Sequence, residues 1–115
     1  DNRVWSYDTG TEWIHVLYDD DLQESPLLTG VDNVIVSTGG DVLVAEDGGD
    51  MQVVAITPAG NTVAVLQIVG HIGSEITGLA FDPSGSRLYC SSQRGELGIA
   101  GSPGITYEVT GPFFV

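Results

Sequence analysis

Lysine is absent from this 115-residue chain, and its only basic side chains besides two histidines are Arg3, Arg87 and Arg94. Against them stand 16 aspartates and glutamates, for a formal net charge of -13. So acidic a surface repels phosphate backbones, which argues against a nucleic-acid partner. It attracts divalent cations, but it also serves solubility or a high-salt habitat, so bulk charge alone places no site. Long hydrophobic runs are missing too: none approaches the ~20 residues of a membrane-spanning helix, and no membrane span is expected. The first residues lack the basic and apolar regions of a signal peptide. They open directly into strand-like sequence, as a segment cut from a longer chain would. With Cys90 as the only cysteine, no disulfide can form within the chain. Its place in Leu88-Tyr89-Cys90 reads as a small buried residue. Helical periodicity is nearly absent, and there is neither a glycine-rich phosphate loop before a helix nor a nucleophile elbow.

What is present is strand-forming. A hydrophobic fraction of 42% excludes a disordered chain, and the length suffices for one small domain. Short runs rich in Val, Ile, Tyr and Thr alternate with Gly, Pro, Asp, Asn and Ser clusters. They predict nine strands: Arg3–Asp8, Trp13–Tyr18, Asn33–Ser37, Val42–Glu46, Gln52–Thr57, Thr62–Val69, Gly78–Phe81, Arg87–Ser91 and Ile105–Val109. Asp8-Thr9-Gly10, Thr38-Gly39-Gly40, Pro58-Ala59-Gly60 and Asp82-Pro83-Ser84-Gly85 have the length and residues of hairpin turns. Val34 to Gly40 repeats in pattern as Leu79 to Gly85, with Gly40 and Gly85 standing 45 positions apart. Four strands in a period of ~40–50 residues is the signature of a β-propeller. The fold class expected is therefore all-β, a single partial propeller domain of about two and a quarter four-stranded blades. Residues 1–30 end one blade, 31–70 make a complete one, and 71–115 make most of a further blade. Closure takes ~4–8 blades, so the remaining blades of the same propeller are expected partners. A β-sandwich is the structural alternative.

Propeller geometry sorts the loops by face. Strand entries and second-to-third-strand loops open on one face. That face collects Asp32-Asn33, Glu46-Asp47-Gly48-Gly49-Asp50, Ser74-Glu75-Ile76-Thr77-Gly78 and Gln93-Arg94-Gly95-Glu96. Convergent carboxylate and amide oxygens without His or Cys suit a hard cation. Ca²⁺ fits best, with Mg²⁺ or Mn²⁺ behind it. The candidate metal ligands are Glu46, Asp47, Glu75, Asp32 and Asn33. Each has an ordinary role to set against that one. Asp47 precedes glycines as turn residues do, and Asp32-Asn33 could hydrogen-bond its own backbone. Glu46 follows Leu43-Val44-Ala45, which predicts partial burial and hence a partner. Glu75 precedes an inner strand and has no capping duty. Arg94, the candidate catalytic residue, either ties acidic loops together or receives an anionic substrate group. Asp19-Asp20-Asp21 reads as a solvated loop between blades. His15 reads as a surface or inter-blade residue, and His71 alone is thin support for acid–base work.

Several of these segments resemble the C-terminal blades of PhoX-type alkaline phosphatases. The resemblance lies in Val31 to Val34, Gly40 to Gly49, Ser74 to Gly78, Phe81 to Gly85, Arg87 to Gly95 and the ending Gly104 to Phe113. It implies a six-bladed propeller, secreted or periplasmic, that hydrolyses phosphate monoesters with Ca²⁺ and Fe³⁺ at the mouth of its channel. It further implies Glu46, Asp47 and Glu75 as metal ligands, with Asp32 and Asn33 nearby. The family's cysteine ligand, in an Asn-Cys-Ala-Gly-Gly-like stretch, has no counterpart here, and Cys90 does not match it. The implied activity then belongs to a longer chain, of which these residues supply part of the site. Two rival functions remain at this stage: a non-catalytic Ca²⁺-binding interaction module and a Ca²⁺-dependent lactonase-like hydrolase. Testing lactones beside phosphate esters separates the latter from a phosphatase.

Overall fold

β-Branched and aromatic side chains pack well on a pleated surface, and every run of them becomes a strand. A computed structural model describes residues 2–113; Asp1, Phe114 and Val115 lie outside the described residues. The strands are β1 Arg3–Asp8, β2 Trp13–Asp19, β3 Val31–Val36, β4 Val42–Glu46, β5 Gln52–Ile56, β6 Thr62–Gln67, β7 Ile76–Phe81, β8 Arg87–Ser92 and β9 Ile105–Thr110. One turn of 3-10 helix, Asp20–Leu22, follows β2, and no α-helix occurs among the described residues. None of those residues forms a helix long and apolar enough to cross a membrane. Strands pair with their sequence neighbours in three antiparallel sheets: β1-β2, β3-β4-β5-β6 and β7-β8-β9. This is the two-four-three grouping the repeat predicts.

Three of the four expected turns are built alike. The N–H of Ser37 donates to Asp41 O at 2.8 Å, that of Thr57 to Asn61 O at 2.9 Å, and that of Asp82 to Arg87 O at 3.0 Å. In each, a glycine (Gly40, Gly60 or Gly85) takes the positive φ the turn requires. The first turn departs from expectation. Gly10 is not left-handed; the positive φ falls on Glu12, at 61°. Asp8 Oδ1 accepts the N–H groups of Gly10 and Thr11 at 2.8 and 3.0 Å and holds the wider loop.

Alternation along β4 divides the core. Val44 points toward the first sheet, where it packs with Val4, Tyr18, Leu28, Val54 and Ile56. Leu43 and Ala45 point the other way, into a cluster with Met51, Val53, Ala55, Ile76, Leu88 and Cys90. Each such burial contributes about 1.5–3 kcal/mol for the larger side chains. Cys90 lies where the sequence places it, and burial pushes its thiol up, away from the reactive thiolate.

β3 and β7 begin earlier than expected, and the reason is a bulge in each. Val31 pairs with Glu46 and Val34 with Val44, so Asp32 and Asn33 together face Ala45 alone. In β7 the register shifts between Thr77 and Ala80, around Gly78, whose φ is 68°. A bulge interrupts the period-two pattern, which hides the part of the strand beyond it. It also re-aims its own side chains. β3 and β7 lie against each other, with Thr77 Oγ1 donating to Asn33 Oδ1 at 3.4 Å.

Candidate functional site

The chain leaves β4 through Glu46-Asp47-Gly48-Gly49-Asp50 and turns back at Met51. Gly48, Gly49 and Met51 all take positive φ, at 77°, 63° and 58°. Met51 bears that strain because its side chain is fully buried in the core, which fixes the loop from beneath. From above, the N–H of Asp47 donates to Gly30 O at 2.8 Å, and a Cβ at Gly30 would stand 2.9 Å from Asp47 O. Only glycine lets the two backbones meet this closely.

Within this loop, Glu46 and Asp47 go different ways. Glu46 shares the side of β4 that carries Val44 and is 1% exposed. Its Oε1 accepts the N–H of Thr29 at 3.0 Å, and its Oε2 accepts that of Gln52 at 3.1 Å. Burial raises the pKa of its carboxyl above the ordinary value, with Asp50 adding to the rise while the two amides pull it back. Asp47 is exposed and meets the next sheet. There, the neighbouring Asp47 carboxylate is the leading cause of a raised Glu75 pKa. Partial burial adds to the shift, the Arg94 guanidinium opposes it, and Asp32 contributes through its field.

Asp47 and Glu75 are therefore brought together, with Arg94 Nη2 3.7 Å from Glu75 Oε1 and Arg94 Nη1 donating to Gly73 O at 3.4 Å. Asp32 and Asn33 stand in the β3 bulge, where Asn33 Nδ2 donates to Asp32 Oδ2 at 2.7 Å and Asn33 Oδ1 meets Thr77. Glu46 lies at the same end of the molecule but behind the loop, its two oxygens already engaged. The oxygen donors that remain are Asp47 and Glu75, with Asp32 and Asn33 in the bulge beside them, a chemistry that suits a hard cation. Neighbouring carboxylates repel each other, and a divalent ion between them would relieve that repulsion.

A second acidic group is the run that reads in sequence as a solvated loop between blades. Asp19, Asp20 and Asp21 bring three carboxylate oxygens within 4.8 Å of one another, and no other such trio occurs among the described residues. Asp19 caps the 3-10 turn by accepting the N–H of Asp21 at 3.2 Å. Arg3 Nε reaches Asp19 Oδ2 at 2.6 Å and Arg3 Nη2 reaches Asp21 Oδ2 at 3.4 Å, while Asn2 Nδ2 donates to Asp20 Oδ2 at 2.8 Å. The run of three aspartates was the available signal; the partners that gather them are Asn2 and, at the start of β1, Arg3, across the hairpin.

His15 is exposed on β2, as expected of a surface residue. His71 is buried, with Nδ1 2.8 Å from Ser92 Oγ, a contact that sequence reading did not anticipate.

Comparison with curated proteins finds no match, and comparison with solved structures finds none. A family model does match: Alkaline phosphatase PhoX, over residues 9–96. That span contains Asp32, Asn33, Glu46, Asp47, Glu75 and Arg94 and ends before β9. The chain belongs to the PhoX alkaline phosphatase family.

Proposed function

We propose that the chain supplies one side of a cation-dependent phosphomonoesterase site, in which Asp47 and Glu75 hold a divalent ion and Arg94 steadies the phosphate of the ester. The observation that carries this reading is the Asp47–Glu75 pair beside Arg94, inside the span that matches an alkaline phosphatase family. Ca²⁺ is the ion the oxygen donors fit best; Fe³⁺ rests on the family resemblance alone. When bound, such a cation supplies charge neutralisation to the transferring phosphoryl group. Arg94 offers a planar donor fork to phosphate oxygens, and its ion pair with Glu75 holds the fork near the carboxylates. Asp32 and Asn33, aimed by their bulge, extend the oxygen surface. Glu46 holds the loop that carries Asp47.

The three sheets are, on this reading, consecutive sectors of a propeller with β3 and β7 innermost. The contact of β3 with β7 and the two-four-three grouping support it. The remaining blades of the same propeller would complete the site, in an exported enzyme.

The test is hydrolysis of a chromogenic phosphate ester by the intact enzyme, with and without Ca²⁺. Turnover should require the ion and should fall by about a hundredfold or more in Glu75→Ala. Undiminished turnover in that variant would sink the assignment. One observation favours a second reading, a non-catalytic Ca²⁺-binding module: the tightest carboxylate group is Asp19-Asp20-Asp21, away from Arg94. Ca²⁺ that raises the melting temperature without conferring turnover would support that module instead.

A further inference from the structure

Behind the site lie three polar side chains that neither core cluster includes: His71, Ser74 and Ser92, which are 4%, 1% and 0% exposed. Buried polar groups must be partnered, and these partner one another. His71 Nδ1 is 2.8 Å from Ser92 Oγ, Ser92 Oγ donates to Ser74 Oγ at 2.8 Å, and the backbone N–H of Arg94 donates to that same Ser74 Oγ at 2.8 Å. The backbone closes the circuit, with Ser74 N–H donating to His71 O at 2.9 Å and Gln93 N–H to Glu75 O at 3.0 Å. Tyr107 meets the His71 ring edge-on, with centroids 6.3 Å apart.

Counting protons orders the chain of bonds. A serine hydroxyl has one hydrogen, and that of Ser92 goes to Ser74. With that donor order, Ser92 Oγ accepts from His71, and the wire requires the tautomer with hydrogen on Nδ1. Ser74 takes in two donors, and the second of them is the backbone of Arg94. The two residues that flank this chain of bonds are thus Glu75, next to Ser74, and Arg94, two beyond Ser92.

We propose that His71, Ser92 and Ser74 are positioning residues, a buried hydrogen-bonded wire that sets the Arg94 guanidinium against the Glu75 carboxylate. This rests on the reading of Asp47, Glu75 and Arg94 as a cation and phosphate site. The wire touches neither substrate nor ion. It fixes the loop before β7 to the turn after β8, and these two segments carry the groups that do.

Calorimetric titration of the intact enzyme with Ca²⁺ tests it, following the uptake that Glu75→Gln weakens. Ser92→Ala removes the central hydroxyl and Ser92→Thr keeps it. His71→Asn keeps a donor near the Nδ1 position and His71→Leu does not. Affinity should fall about tenfold or more in Ser92→Ala and His71→Leu, and return toward wild type in Ser92→Thr and His71→Asn. Nitrogen-15 spectra of wild-type His71 supply a readout that needs no variant to fold, and should show hydrogen on Nδ1. A bare Nδ1 overturns the wire. Losses that the hydroxyl- and donor-retaining variants fail to reverse mark a role in the fold alone and overturn the positioning role. Unchanged affinity in all four variants does the same while leaving the site reading intact. An intact wild-type enzyme with no such uptake overturns the site reading and this inference together.

Discussion

The two sheet junctions of this molecule treat acidic side chains in opposite ways. Between the first and second sheets, Asp19, Asp20 and Asp21 are met by Arg3 and Asn2, and Glu46 is buried against the amides of Thr29 and Gln52. Between the second and third, Asp47 and Glu75 lie against each other with Arg94 as the nearby cation, and Asp32 adds its field. Charge balanced inside the chain does structural work. Like charge left side by side is where an added cation gains most.

The comparison breaks first at Glu46. If its carboxylate is structural, Glu46→Ala strands two backbone donors, and unfolding in denaturant should show a loss of roughly 2–3 kcal/mol. Glu46→Gln, which keeps one acceptor oxygen, should lose less. Little change in either variant would mean the carboxylate is held for something other than the fold.

Next in size is the stabilisation by ligand. At a Ca²⁺ concentration 100 times the dissociation constant, wild type should gain about 2.7 kcal/mol, read as a rise in melting temperature. Asp47→Asn should show much less. An equal rise in both would move the ion away from Asp47.

A smaller effect separates the junctions by salt. Arg3→Ala leaves three aspartates without that guanidinium, so it should lower stability more at low ionic strength than in molar salt, where exposed charges are screened. A salt-independent loss would point to packing of the Arg3 stem instead.

The smallest effect belongs to a turn remote from both junctions. Asp82 accepts from Ser84 Oγ at 2.7 Å and from the N–H groups of Ser86 and Arg87 at 2.9 Å each. The Ser84 hydroxyl first, and then the backbone N–H groups, hold its carboxyl below the ordinary value. A depressed carboxyl contributes stability at pH above its unfolded value and loses it as pH falls through the folded one. Asp82→Asn should therefore flatten the acid limb of a stability-versus-pH curve slightly and leave the neutral region little changed.

Much of the fold was legible because hydrophobic alternation is a local property. β1 and β4 have the predicted limits, and the other strands differ by a few residues at their ends. What escaped was whatever depends on two strands at once. The starts of β3 and β7 lie beyond bulges, which show only as broken alternation in one sequence and as a two-against-one pairing in the sheet. Gly10 looked like the residue for a left-handed turn, but Asp8 closes a wider loop and the strain falls on Glu12.

For the candidate residues, what the sequence suggests is their neighbourhood. Asp47, Glu75 and Arg94 were singled out by residue type and strand order, and the sheets bring them together. Glu46 is parted from them by the period of two that sends it to the side of Val44, a consequence readable from the strand itself. His71, Ser74 and Ser92 gave no signal, because a serine reports its burial only through the partners folding supplies.

The most direct test of the central claim is a calorimetric Ca²⁺ titration of three chains: wild type, Glu75→Gln and Asp20→Asn. The account predicts uptake by wild type, affinity lowered about tenfold or more by Glu75→Gln, and little change in Asp20→Asn. Loss of uptake in Asp20→Asn, with Glu75→Gln behaving as wild type, would place the ion at the other junction and contradict it.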